Sequence, residues 1–194
     1  PQYFDDLLCW AAIGARTTES QIHRELASGI STPIGFKNNT EGNVETAINA
    51  IQTANQQHCF LGCVSEGTIS MISTKGNLYC HVILRGGKNK PNYYKEDVET
   101  TINKLSENNL MTSIVIDCSH GNSKKQFKNQ LIVCENVCNQ MKTNKNIVGL
   151  MVESNLIEGN QKITETPLIY GKSLTDSCLG LVDSKNIFEM LSNI

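Results

Sequence analysis

The chain has 194 residues, 39% of them apolar, and a formal net charge of −2. This suits one domain with an ordinary core and excludes a disordered chain. It also excludes a charge-driven binder of nucleic acid or membrane surface, and no apolar run approaches the ~18 residues of a membrane span.

No secretory leader is read. The eight cysteines, at 9, 59, 63, 80, 118, 134, 138 and 178, form no CxxC pair. Scattered thiols in a cytoplasmic protein are expected, not a disulfide framework. Cys59 and Cys63 could be half of a metal site, but no second pair matches them.

In chain order, Tyr3 to Ala12 is apolar on one face and leads into a first strand ending at Arg16. Thr18, with Gln21 three residues later, fits a capping box for a helix that carries Ile22 and Leu26 and stops near Gly29. Pro33 to Phe36 reads as a strand ending at Lys37. Val44, Ala47, Ile48 and Ile51 mark a helix to Asn55. Residues 58 to 84 break this rhythm. Two strand-like runs, a turn signal at Gly76 and Asn77, and a strand ending at Arg85 suggest an inserted β-hairpin. Gly86 and Gly87 would let the backbone approach a ligand closely.

Val98, Ile102 and Leu105 mark the next helix. Ile114 to Ile116 is a buried-type strand ending at Asp117, Cys118, Ser119 and His120. Phe127, Leu131, Cys134, Cys138 and Met141 form a helical stripe with Asn122 or Ser123 as its cap. Ile147 to Val152 is a strand ending at Glu153. A long polar loop, 154 to 175, leads to Asp176, and Ser184 can cap a last helix carrying Ile187, Phe188 and Leu191.

Strands alternating with helices define an α/β class. Functional-looking residues end every main strand, so a (β/α)8 TIM barrel fits better than an open sheet with one switch point. A full barrel needs ~250 residues. The expectation is therefore that residues 1–194 are the C-terminal portion of a single barrel domain, about its last five βα units with an inserted hairpin. A start at Pro1, without methionine, fits that expectation.

Arg16, Lys37 and Arg85 bring three cations to strand ends, where burial without a partner is costly. A phosphate-bearing ligand could answer them. Structural ion pairs, with Asp117 and Glu19 as partners, are the alternative. His120, Glu153 and Asp176 on separate strands suit a divalent metal. A capped loop histidine with two solvated acids remains the other reading, since no compact motif joins them.

The strings GARTTES (Gly14 to Ser20), GFKN (Gly35 to Asn38), ILRGG (Ile83 to Gly87), IDCSHGNSKKQ (Ile116 to Gln126), MVESNLIEGNQ (Met151 to Gln161) and YGKSLTD (Tyr170 to Asp176) cover essentially the whole chain in order. They resemble the type I 3-deoxy-D-arabino-heptulosonate 7-phosphate (DAHP) synthases, the first enzymes of the shikimate pathway to chorismate and the aromatic amino acids. The resemblance implies condensation of phosphoenolpyruvate with D-erythrose 4-phosphate. It implies that Arg16 and Arg85 hold the phosphate of phosphoenolpyruvate, and that Lys37 holds its carboxylate and acts as the catalytic residue. His120, Glu153 and Asp176 would be three of four ligands to a divalent metal of the Mn, Fe, Co or Zn type.

By the same resemblance the fourth ligand, a cysteine, and a KPRT-type loop for erythrose 4-phosphate lie upstream of the matched region. The chain alone is then expected to be inactive. An aromatic amino-acid feedback inhibitor is implied at the hairpin, with Ser31, Phe60 and Gly62 at matching positions. The small Gly62 leans the choice to tyrosine over phenylalanine. A homo-oligomer is implied for the full-length protein, with neither nucleic acid nor membrane as partner. Two rival readings are a Schiff-base aldolase using Lys37 and a non-catalytic barrel fragment.

Overall fold

Val82 to Leu84 and Ile114 to Ile116 are apolar without alternation, the pattern of strands covered on both faces. In the computed structural model, which describes residues 5–164 and 166–194, they form the centre of a parallel sheet. Its strands are β1 (Ala11–Ile13), β2 (Ile34–Lys37), β5 (His81–Leu84), β6 (Ile114–Asp117) and β7 (Ile147–Met151), in the order β1-β2-β5-β6-β7. Every residue of β5 and β6 is buried. Parallel neighbours need crossovers. Helices α1 (Gln21–Gly29), α2 (Glu45–Ala54), α3 (Lys95–Glu107) and α4 (Asn129–Met141) supply them, and α5 (Leu181–Ser192) follows β7. The protein is thus mixed α/β with a mostly parallel sheet, and no helix is long and apolar enough to cross a membrane among the described residues.

The two faces of the sheet differ. Ile34, Phe36, Val82, Leu84, Ile114 and Ile116 belong to one core with Ile48 and Ile51 of α2, Val98 and Leu105 of α3, and Val133 and Val137 of α4. On the other face, a side chain at Gly35 would collide with Ile83 and His81, with Ile83 Cδ1 at 2.4 Å. Glycine there lets the larger neighbours fill the space. Trp10, His81, Val115 and Gly149 line an apolar hollow of about 620 Å³ on this face.

The inserted hairpin pairs β3 (Cys59–Cys63) with β4 (Ile69–Ser73) in antiparallel register, Phe60 opposite Ile72. It closes at Ser73, earlier than residue 84; residues 74–80 form the connection into β5. Several ends fall elsewhere than the sequence suggests. β1 stops at Ile13, and Arg16 lies in the turn beyond it. Thr18 does not cap α1. It is buried, and its hydroxyl donates toward Gly14 O (3.0 Å) and Lys37 O (2.7 Å), tying the first loop to the end of β2. Helix α4 begins at Asn129, so neither Asn122 nor Ser123 caps it. Residues 120–125 and 127–128 form turns, with Lys124 and Lys125 at φ 53° and 57°. Ser184 lies inside α5, which begins after Gly180.

The loop at 154–175 also has internal order. It holds a two-stranded parallel ribbon, β8 (Ile157–Asn160) with β9 (Lys172–Ser173). The buried Gln161 donates to Ile169 O and Lys172 O and accepts from Ile169 N. Tyr3, at the head of the apolar lead-in, lies outside the described residues.

Candidate functional site

All five sheet strands run the same way, so the loops that follow them meet at one end. Asn38, just after β2, organises that end. It is fully buried; its Oδ1 accepts from Arg85 N (2.8 Å) and Asn92 Nδ2 (3.1 Å), and its Nδ2 donates to Gly86 O (3.1 Å). Asn122 continues the network, donating to Leu84 O and Asp117 O and accepting from Asn92 N. The strand ends are thereby locked to one another by side-chain amides rather than by ladder bonds. Gly86 (φ 74°) and Gly87 serve the same packing: a Cβ at Gly86 would lie 2.4 Å from Asn122 N, and one at Gly87 2.6 Å from Glu41 O. Their close approach is to neighbouring backbone, where the sequence suggested a ligand.

Two groups of functional side chains stand on this frame. Lys37 Nζ lies 2.7 Å from Asp117 Oδ2 and only 13% of its side chain is exposed. Asp117 is therefore a partner for Lys37. Glu19 instead bears on Arg24. Among the described residues no carboxylate pairs with Arg16 or Arg85. Arg16 is exposed on the first turn, and Arg85 is buried, with Nη1 donating to Gly86 O. Burial pushes the Arg85 guanidinium below its ordinary range; Asp117 and Glu153 oppose this, and Arg16 adds to it. Two neighbouring cations with no carboxylate in ion-pair contact among the described residues form a candidate place for an anion.

The second group is His120, Glu153 and Asp176. Each offers a ligand atom, and these lie within 4.8 Å of one another. His120 adopts φ 50°, an uncommon conformation that costs strain. Its Nε2 is 3.5 Å from Glu153 Oε1. Ser119 Oγ donates to Glu153 Oε2 (2.7 Å), and Gln130 of α4 grips the Glu153 backbone. His120 Nδ1 is buried without an aligned hydrogen-bond partner, although Asp117 Oδ2 is 2.9 Å away. One imidazole and two carboxylates fit a borderline-to-hard divalent ion. No cysteine belongs to this group among the described residues. Cys118, behind it, is buried, and its thiol is raised by contact with Cys134 and by burial.

The six residues do not share a single cavity. Arg16, Arg85, His120 and Asp176 line a cleft of about 740 Å³. Arg16, Lys37, Arg85 and His120 line a second, of about 300 Å³. His120, Glu153 and Asp176 line a third, of about 150 Å³. His120 borders all three. Ser31, Phe60 and Gly62 lie away from these clefts. Phe60 and Gly62 share one face of β3, and Ser31 is exposed between α1 and β2. A Cβ at Gly62 would lie 2.3 Å from Ile72 Cδ1, so Ile72 occupies the space a larger residue would take. Asn38, Asn92, Ser119, Asn122 and Gln130 are the supporting residues that the strand-end reading left without a role in the site, whereas Asp117 is named there as a partner for the cations.

A parallel α/β sheet with a candidate anion site and a candidate cation site at its C-terminal end fits a class of α/β ligand-binding proteins whose chemistry lies in the βα loops. The sequence profile of the DAHP synthetase I family matches residues 1–189, and the chain belongs to that family. It is 51% identical over 195 residues to the Phe-sensitive phospho-2-dehydro-3-deoxyheptonate aldolase of Escherichia coli K12, covering 100% of this chain and 55% of that relative. It is 48% identical to the Trp-sensitive aldolase of the same strain, covering 99% and 56%. The solved structure of phospho-2-dehydro-3-deoxyheptonate aldolase from Francisella tularensis SCHU S4 superposes with a TM-score of 0.96 at 49% identity, over 100% of this chain and 57% of that one. The chain spans about half the length of the curated relatives it matches.

Proposed function

We infer that the protein of which this chain is part condenses phosphoenolpyruvate with erythrose 4-phosphate to DAHP and phosphate. The observation that carries this reading is the convergence of Arg16, Lys37 and Arg85 with His120, Glu153 and Asp176 around clefts that all touch His120. In this reading residues 1–194 are about the last five βα units of a (β/α)8 barrel domain. The five-stranded sheet, ending in β1 and β7, is in keeping with that.

Arg16 and Arg85 would bind the phosphate of phosphoenolpyruvate. Lys37, held upright by Asp117, would take its carboxylate. Together they would fix the enol carbon toward the cation group. In the reaction, C3 of phosphoenolpyruvate bonds to the aldehyde carbon, water adds at C2, and the C2–O bond to phosphate breaks. Lys37 and the two arginines offset the negative charge of the departing phosphate. Ser119 and Gln130 would keep Glu153 oriented. A divalent metal held by His120, Glu153 and Asp176 would supply Lewis-acid polarisation of the aldehyde. The salt bridge to Asp117 favours a charge-binding Lys37 over a Schiff-base nucleophile, which must be a free amine.

An aromatic amino-acid effector at the hairpin, near Ser31, Phe60 and Gly62, belongs to the same proposal. The names of the relatives include both Phe-sensitive and Trp-sensitive forms. Tyrosine remains this reading's choice. A cytoplasmic homo-oligomer is likewise part of it for the full-length protein.

The test is retention of labelled phosphoenolpyruvate by the 194-residue chain with Mn²⁺ present. Retention that is lost in Arg85→Met and reduced in His120→Ala supports the site. Retention equal in all three proteins removes it. Turnover of the two substrates by this chain alone would remove the inference that further barrel units are needed.

A further inference from the structure

Asp117 stands between the two halves of the site. Its side chain is fully buried, so its charge depends on protein partners in place of water. Oδ1 accepts from Ser119 N at 2.9 Å. Oδ2 lies 2.7 Å from Lys37 Nζ and 2.9 Å from His120 Nδ1. The two contacts to Oδ2 differ in kind. Lys37 donates a directed hydrogen bond. His120 Nδ1 is just as close, but the approach is misdirected and the atom is left without an aligned partner. One oxygen faces two donors, and Lys37 is aligned with it. Against the upward push of burial, His120, as close but not aligned, still helps hold the Asp117 carboxyl below its ordinary range.

An imidazole binds a metal ion better through Nε2 when its Nδ1–H donates to a carboxylate. That bond fixes the tautomer and makes the ring more basic. Here Lys37 competes for the carboxylate that could do this.

We propose that Asp117 is a positioning residue that couples the anion site at Lys37 to the cation site at His120. A substrate carboxylate that draws Lys37 Nζ away from Oδ2 frees that oxygen to align with the Nδ1–H of His120. Nε2 then becomes the better donor to a divalent cation. Linkage is reciprocal, so the cation also strengthens anion binding. The geometry suits such a relay: Lys37 ends β2, Asp117 ends β6, and His120 follows on the turn held by Asn122. The inference rests on the roles proposed above for Lys37 and His120.

The experiment follows Co²⁺ binding to the 194-residue chain by its visible absorption, a readout independent of turnover. The proteins are the wild type, Asp117→Asn, Lys37→Met and the double variant. Asp117→Asn should weaken Co²⁺ by about 10- to 100-fold, the usual effect of losing a carboxylate behind a ligating histidine. Lys37→Met should tighten Co²⁺ several-fold in the wild-type background and leave it unchanged in Asp117→Asn, because Lys37 acts through Asp117. Weaker binding in both single variants would mean a merely structural role and overturn the proposal. Equal tightening in both backgrounds would mean plain repulsion between lysine and cation, and would overturn it too. Phosphoenolpyruvate should tighten Co²⁺ in the wild type and do so less in Asp117→Asn; equal tightening contradicts the relay.

Should Asp117→Asn fail to fold, Lys37→Arg replaces it. That variant keeps a cation on Oδ2, so Co²⁺ affinity should stay at or below wild type while Lys37→Met exceeds it; identical behaviour sinks the idea. A wild-type Co²⁺ spectrum indifferent to His120→Ala would overturn the metal-site reading, and the relay with it. That result is distinct from a His120-dependent spectrum without the opposite signs, which overturns the relay alone.

Discussion

The side-chain amide of Gln130 pairs with the backbone of Glu153: Oε1 accepts from Glu153 N at 2.8 Å, and Nε2 donates to Glu153 O at 3.2 Å. Gln130 is fully buried in α4, and Glu153 follows β7. Helix and strand are thus joined at a candidate metal ligand. Gln130→Leu conserves bulk but leaves a buried N–H and a carbonyl less well satisfied. It should cost about 1–3 kcal/mol in chemical denaturation. Co²⁺ affinity should fall with it, and a variant as stable as wild type would show that the pairing is incidental.

Gly86→Ala combines two penalties. The backbone sits at φ 74°, and the added carbon would lie 2.4 Å from Asn122 N, which cannot swing away as a side-chain tip could. The left-handed conformation alone costs roughly 1–3 kcal/mol. At ~2–4 °C per kcal/mol for a chain of this size, thermal unfolding should shift down by several degrees or more. No shift would mean that the loop carrying Arg85 is looser than its glycines imply.

The two arginines should separate binding from stability. Arg16 is exposed and Arg85 buried. Arg16→Met should lower phosphoenolpyruvate affinity by roughly tenfold or more, the worth of one charge-assisted hydrogen bond, with unfolding unchanged. Arg85→Met should lower affinity at least as much and also alter stability, because a buried guanidinium is replaced. Equal affinity in Arg16→Met and wild type would place the anion elsewhere.

The five sheet strands and the five helices were legible because their signals are local. Apolar runs without alternation mark β5 and β6, and the 3.6-residue stripe marks α2 and α3. What escaped depends on distant partners. Thr18 and Gln21 have the spacing of a cap, but the Thr18 hydroxyl finds a carbonyl 19 residues away. Nothing near Asn122 in the chain tells of Leu84 and Asn92, so a loop lock was read as a helix cap. Gln161 organises a polar loop through its amide, and a polar residue in a polar loop carries no pattern. At the site the charged ends of the strands were visible. Asp117 was visible as a partner for the cations; that Lys37 and His120 face the same one of its oxygens was not, because that depends on how distant strand ends meet.

His81 gives a stability effect with a defined sign. Burial pushes its imidazole below the ordinary value of 6.5, with the Tyr79 carbonyl opposing. Its Nε2 accepts from Trp10 Nε1 at 3.0 Å. The unfolded chain therefore takes up a proton that the folded chain resists. Stability from this group is fully present above pH 6.5 and is lost as pH falls from there toward the lower folded value. Chemical denaturation followed from above the ordinary value of 6.5 downward into acid should show this slope, and His81→Gln should remove it. A slope unchanged in that variant would assign it to other groups.

The same bond makes the chain self-reporting. Trp10 is the sole tryptophan, and its indole is fastened to a residue 71 positions on, across β2, whose Gly35 leaves the gap through which β1 and β5 communicate. Ultraviolet emission excited selectively at tryptophan therefore comes from one place, the outer margin of the sheet beside its apolar hollow. Detachment of β1 would change colour and brightness while the inner strands and the anion clefts stayed silent. An optical trace of denaturation would thus time the release of that margin, and far-ultraviolet dichroism would time the rest, so any lag between the two would reveal a sheet that comes apart from its edge.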